Sequence, residues 1–201
     1  MNHKIKSIQR EIDRLLSQKS RVLVAFDGGS AAGKSTLAEY FRSLYDCNII
    51  HMDDFFLRPE QRTPQRFEEI GGNVDYERFF DEVLLPLLAG ETFRYTPYDC
   101  HLQAMKESVT VFPKSLNIVE GTYSMHPVLS YAYDFSVFFK IGSQLQQKRI
   151  LQRNGEEKQK LFLEKWIPLE QKYFCGTQIE KRCDLIFPMK RNFKNDIIKT
   201  L

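Results

Sequence analysis

Val22-Leu23-Val24-Ala25-Phe26-Asp27-Gly28-Gly29-Ser30-Ala31-Ala32-Gly33-Lys34-Ser35 passes from an apolar run into a glycine-rich turn and on toward a helix. The apolar run has the character of a buried parallel strand. From Ser35 to about Leu44, Leu37, Phe41 and Leu44 fall on one helical face. The turn between them satisfies G-x-x-x-x-G-K-[ST], in the strand-to-helix context that the motif requires. Glycines let the backbone turn so that several amides point at one anion, and the helix start adds its positive dipole end. Lys34 supplies a point charge for outer phosphates, and the Ser35 hydroxyl can ligate Mg²⁺. A glycine turn that only joined a strand to a helix would need neither side chain. The segment implies binding of a nucleoside triphosphate.

Upstream, Ile5, Ile8, Ile12, Leu15 and Leu16 form an apolar stripe on a helix expected over residues 1–19. Downstream, residues 48–52 read as a strand ending at Asp53-Asp54, and residues 57–75 as a long polar loop with Pro59, Pro64, Gly71 and Gly72. A helix is expected from about Tyr76 to Leu88, weakened near its end by Pro86. Phe93–Tyr98 and Val109–Phe112 suit a hairpin, while Leu116–Val119, Phe135–Ile141 and Leu185–Phe187 suit buried strands. Gln144–Asn154 and Lys158–Phe174 are helical in period, broken at Gly155, with a kink expected at Pro168. This alternation argues for an α/β fold with a mostly parallel sheet. The 201 residues suit one domain, with no internal repeat or linker.

The net charge of +3 is too small to argue for nucleic-acid binding. No run of about 18 apolar residues suggests a membrane span. Cys47, Cys100, Cys175 and Cys183 lack metal-ligand spacing, which argues against zinc. The first twenty residues are too polar for the apolar region of a signal peptide. A cytoplasmic protein with no nucleic-acid or membrane partner is expected; homo-oligomerisation is left open.

The cradle leaves the reaction undetermined. A guanine-reading N-K-x-D and an L-S-G-G-Q signature are both absent, while Asp53 and Glu120 close the next two strand candidates. Taken with Gly28–Ser35, the segments Met52-Asp53-Asp54-Phe55-Phe56, Asn73-Val74-Asp75, Val119-Glu120-Gly121 and 149–154 resemble the uridine kinase/phosphoribulokinase family of P-loop small-molecule kinases over roughly residues 20–190. The resemblance implies a three-layer α/β/α fold with a five-stranded sheet, a small β-hairpin insertion and a helical lid over about 145–160. It implies ATP and Mg²⁺, with Gly28, Gly29, Ser30, Ala31, Ala32, Gly33, Lys34, Ser35 and Thr36 holding the nucleotide. Asp53 would be the general base and approach the metal, which Ser35 and Glu120 would ligate. Arg149 and Arg153 would be lid arginines, catalytic together with Lys34 and Asp53. Asp75 would meet sugar hydroxyls, and Phe56, Tyr98 and His101 would line the acceptor pocket.

The implied reaction is transfer of the ATP γ-phosphate to a small-molecule alcohol, by default the 5′-hydroxyl of uridine or cytidine. Three departures bear on the acceptor. His101 stands closer to Tyr98 than in the uridine kinases, an arginine usual shortly after it is missing, and Phe56 replaces a common tyrosine. Arg58, Arg62 and Arg66 in the long loop could meet an anionic acceptor. These leave open another alcohol, such as pantothenate, a nicotinamide riboside or a sugar derivative, or a non-catalytic nucleotide-binding protein. Tyr123 is a further candidate for the acceptor site, whereas Trp166 is expected to pack the late helix.

Overall fold

The computed structural model describes residues 3–100 and 102–190. The central sheet contains β1 (Val22–Gly28), β2 (Cys47–His51), β7 (Leu116–Glu120), β8 (Phe135–Lys140) and β9 (Leu185–Pro188). Their order is β2-β7-β1-β8-β9. Every pairing is parallel, so the sheet is wholly rather than mostly parallel. The short strands β3 (Phe93–Tyr95), β4 (Tyr98–Asp99), β5 (Ala104–Met105) and β6 (Val109–Val111) form two antiparallel ladders, β3 with β6 and β4 with β5. They are the expected hairpin insertion.

Alternation along β1 sorts the core into two layers. Val22, Val24 and Phe26 face a cluster with α1 (His3–Leu16) and α2 (Lys34–Leu44), where Ile5, Ile8, Ile12 and Phe41 are buried. Leu23 and Ala25 face the opposite cluster, built on Phe55, Phe79, Val83, Tyr123 and Tyr173. A strand buried on both faces needs apolar residues at both parities, which is why residues 22–26 read as a continuous run. Phe26 packs its ring 6.0 Å from Phe41 and 5.3 Å from Phe139.

The loop over residues 57–75 carries a 3₁₀ turn (Pro59–Gln61) and the short α3 (Pro64–Glu68). Where a weakened turn at Pro86 and a kink at Pro168 are expected, the chain shows a π turn before each proline. The helix α4 (Tyr76–Phe79) passes through a π turn (Phe80–Leu84) into α5 (Leu85–Ala89), which contains Pro86. The long α6 (Ser143–Leu161) passes through a π turn (Phe162–Trp166) into α7 (Ile167–Thr177), which contains Pro168. In each case the residue before proline donates five back, Leu85 to Phe80 and Ile167 to Phe162. The widened turn makes room for a ring with no amide to give. Gly155, at φ 80 and ψ 174, breaks α6 where the sequence places a break. Trp166 is half-buried in the second π turn, and α8 (Ile179–Arg182) leads into β9.

The long loop is anchored by His126. Its ring stacks 4.1 Å from Tyr76 at 13°. Nδ1 accepts from the Val128 amide at 3.3 Å, and the ring donates to the Ile70 carbonyl. A neutral imidazole suits that pair of contacts. Burial lowers its pKa to about 4. The folded value lies below the unfolded one, so the unfolded chain binds more protons between them; the neutral ring's contribution is complete above pH 6.5 and lost as pH falls toward 4. The stability advantage of the native chain over His126→Gln is expected to shrink by on the order of 2 kcal/mol between pH 7 and pH 5. Urea denaturation of both proteins at the two pH values checks this, and a constant difference would contradict it.

Candidate active site

The glycine loop closes the carboxyl end of β1, where parallel α/β sheets place ligands. Gly28 has φ 136, and a Cβ there would meet the Phe139 carbonyl oxygen at 2.3 Å. Ala31 (φ 60) and Gly33 (φ 87) also take left-handed conformations, turning the chain into the start of α2. That helix start leaves its first amides without helical partners. Lys34 is buried and bends back across the loop, donating to the Gly28 carbonyl at 2.8 Å and the Gly29 carbonyl at 3.0 Å. Thr122 donates to the same Gly28 carbonyl at 2.9 Å and lies 3.5 Å from the Lys34 ammonium. The result is a buried cation at the start of a helix, a pairing suited to a polyanion. Thr36 follows in the first turn of α2.

The acidic groups stand beside this ring. Glu120, at the end of β7, is buried; it pairs with His51 at 2.6 Å and hydrogen-bonds with the Ser35 hydroxyl. Burial opposes its ionisation, yet His51, Lys34 and Ser35 outweigh burial and hold the carboxyl below its usual range. Asp53 follows β2 in a 3₁₀ turn (Met52–Phe55). It keeps solvent access, but the protein packed around it and the charge of Glu120 push its pKa up to about 6, against the pull of Lys34, His51 and Arg153. Gly121 keeps the two acids close, for a Cβ there would lie 2.7 Å from Met52 Cβ and 3.3 Å from an Asp53 carboxylate oxygen. Among the described residues no three His, Cys, Asp or Glu side chains form a metal cage. The Ser35–Glu120 pair nevertheless fits Mg²⁺, which takes one or two protein oxygens and completes its shell with phosphates and water.

The two arginines of α6 diverge. Arg153 is exposed, bonded to Asn154 at 2.8 Å, and near enough to Asp53 to bias its ionisation. Arg149 turns away from the acids. It donates to the Ala31 carbonyl at 3.1 Å and the Lys190 carbonyl at 3.0 Å, bridging the loop to the segment after β9. Residues four apart share a helix face, but a side chain as long as arginine chooses its partner from what that face meets.

Asp75 is buried and caps α4 through the Arg78 amide at 3.1 Å, while accepting from Gln61 Nε2 at 2.7 Å. Tyr98 is buried, and its hydroxyl has no partner among the described residues. Phe56 is partly buried against the second core layer, its backbone bridged to Val74. Tyr123 belongs to the core rather than to an acceptor surface: it is buried, its ring lies 4.8 Å from Tyr173, and its hydroxyl pairs with Asn73. Arg66 serves the loop itself, binding Glu77 at 2.6 Å and the Val74 carbonyl at 2.9 Å. His101 lies outside the described residues.

Two buried carboxylates carry no motif. Asp27, the sixth residue of β1, accepts from the amides of Gly28 (2.6 Å) and Met125 (2.8 Å) and from the Tyr173 hydroxyl (2.7 Å). It ties the loop, the segment after β7 and α7 together; its place next to Gly28 was its only sequence signal. Glu170, on α7, accepts from the Ser30 amide at 3.2 Å and from the Ser30 hydroxyl. It stands 140 positions away, with no local pattern to mark it.

No protein-family model matches the sequence, and no curated protein matches it. Solved structures do. A protein from Bacillus stearothermophilus described as a possible uridine kinase is 20% identical with a TM-score of 0.65, covering 90% of this chain and 99% of its own. A protein from Silicibacter sp. TM1040, provisionally named a fructose transport system kinase, is 19% identical with a TM-score of 0.70, over 92% and 98% of the two chains. D-glycerate 3-kinase from Cryptococcus neoformans is 12% identical with a TM-score of 0.58, over 86% and 89%. The chain has the P-loop α/β/α fold of these proteins. Among the described residues no helix is long and apolar enough to cross a membrane.

Proposed function

We propose that the protein is a Mg²⁺-dependent kinase that moves the γ-phosphate of ATP to the hydroxyl of a small molecule, by default the 5′-hydroxyl of uridine or cytidine. The observation that carries this reading is the placement of a carboxylate with a raised pKa, Asp53, beside the Lys34-filled loop and the Ser35–Glu120 oxygen pair. Phosphoryl transfer asks chiefly for alignment and charge neutralisation. Lys34 and the loop amides hold the outer phosphates, Asp53 takes the proton of the acceptor hydroxyl, and Arg153 meets the charge on the moving group. Mg²⁺, when bound at Ser35 and Glu120, supplies further neutralisation of phosphate charge.

A second reading is favoured by Arg62 and Tyr98. Arg62 donates through Nε to the Leu57 carbonyl at 3.0 Å, and its guanidinium carbon lies 6.0 Å from the Tyr98 ring centre. No carboxylate among the described residues pairs with it, and Tyr98 has its unpartnered hydroxyl in the same region. A guanidinium with no carboxylate partner, near a tyrosine whose hydroxyl is unpaired, suits an alcohol that also carries a carboxylate or phosphate. ADP release with Mg-ATP, screened against nucleosides, vitamins and sugar acids or phosphates, separates the two readings. Turnover with uridine or cytidine supports the first, and turnover confined to anionic alcohols supports the second. ATP binding without turnover on any acceptor would leave a nucleotide-binding protein instead.

A further inference from the structure

Three polar groups of Ser30 are held by side chains from outside the glycine loop. Its amide and hydroxyl donate to Glu170, and its carbonyl accepts from Gln146 Nε2 at 3.1 Å. The same Gln146 nitrogen lies 3.3 Å from the Glu170 carboxylate. Both side chains are buried, at 4% and 3% exposure. Gly29 has no side chain to keep this pair away, since a Cβ there would stand 3.0 Å from Gln146 Nε2.

The places of these two residues in the chain are informative. Gln146 is in the first turn of α6, and Glu170 is in the first turn of α7. Residues 147–169 run out between them, including Arg149, Arg153, the break at Gly155 and the second π turn. One hydrogen-bonded cluster therefore fastens both ends of that excursion to a single residue of the loop. The charges facing Glu170 are Lys34, which favours its ionised form, and Asp53, which opposes it. A carboxylate buried this deeply is tolerated only while its donors stay in place. Drawing α7 from the loop would strand it, and drawing α6 away would remove its Gln146 donor, so both attachments converge on one carboxylate.

We propose that Glu170 is a positioning residue which, with Gln146, pins both ends of the 147–169 segment onto Ser30 and so sets where Arg153 stands over the transferring phosphate. This rests on the kinase reading of the same site. The test is amide hydrogen exchange of residues 147–166 with and without Mg-ATP, in the native chain, Glu170→Ala, Gln146→Ala and Glu170→Gln. Mg-ATP slows exchange in the native segment by about tenfold or more, and by less than about twofold in the two alanine variants, although both bind Mg-ATP. Glu170→Gln, which keeps an acceptor for Ser30, retains intermediate protection. With an acceptor in hand, Glu170→Ala lowers kcat by about tenfold in the native background but less than about twofold in Arg153→Ala, because the first acts through the second.

Native-like protection in a variant that binds Mg-ATP, or losses that simply multiply, would overturn the proposal alone. A native chain that binds no Mg-ATP would overturn the kinase reading and this one with it. Should Glu170→Ala fail to fold, Gln146→Ala attacks the same cluster from its other side and decides the matter.

Discussion

Lys34→Ala is expected to cut phosphoryl transfer by about a hundred- to a thousandfold, the usual cost of losing one preorganised charge at a reacting centre. The ammonium is buried inside the loop, held by two carbonyls at 2.8 and 3.0 Å, and so is already placed before any phosphate arrives. Arg149, which also reaches the loop, is engaged by the Ala31 carbonyl. Arg153 is exposed on α6 and bonded to Asn154, outside the cradle. ATP affinity falls as well, because Lys34 meets the triphosphate in the ground state. The alanine removes a donor from two carbonyls, which keep Thr122 and the Ala32 amide, and empties a buried space, so thermal unfolding must accompany the rate measurement. Lys34→Met, which keeps the apolar stem, separates lost charge from lost packing. A folded variant transferring phosphate within tenfold of the native rate would remove the loop from the mechanism.

Asp53→Asn is expected to lower kcat by about a hundredfold or more with ATP affinity changed only a few-fold, because general-base catalysis contributes in that range. The amide has nearly the same shape but cannot receive the acceptor proton. Equal losses in ATP binding and turnover would assign Asp53 to phosphate or metal binding instead. The pH profile gives an independent reading. The carboxyl sits at about pH 6, raised by its packed surroundings and Glu120. A base works only when ionised, so kcat/KM should be flat above that value and fall about tenfold per pH unit below it. In Asp53→Asn the residual rate should lack that acid limb.

Much of this architecture is written in local pattern. The double-sided apolar run at residues 22–26, the glycine loop, the acid after β2 and the acid ending β7 all announce themselves in short windows. Backbone geometry explains why, since a strand buried on both faces, a left-handed turn and a strand end each restrict the residues that fit. Pro86, Gly155 and Pro168 likewise mark their breaks by backbone chemistry alone. Side chains with two possible destinations are another matter. Tyr123 could have lined a pocket, yet is spent on the core; Arg149 and Arg153 share a period and part company.

Asp27 and Glu170 were illegible for a further reason. A lone carboxylate on a strand or helix reads as ordinary surface until burial surrounds it with donors, and those donors come from remote elements. Ser30 and Glu170 are 140 positions apart, and Asp27 and Tyr173 are 146 apart. Short-range pattern therefore settled the strands, the loop and the order of the acids. Packing of α6 and α7 against that loop settled which charged groups are near it, because burial and electrostatics depend on separation in space and not along the chain.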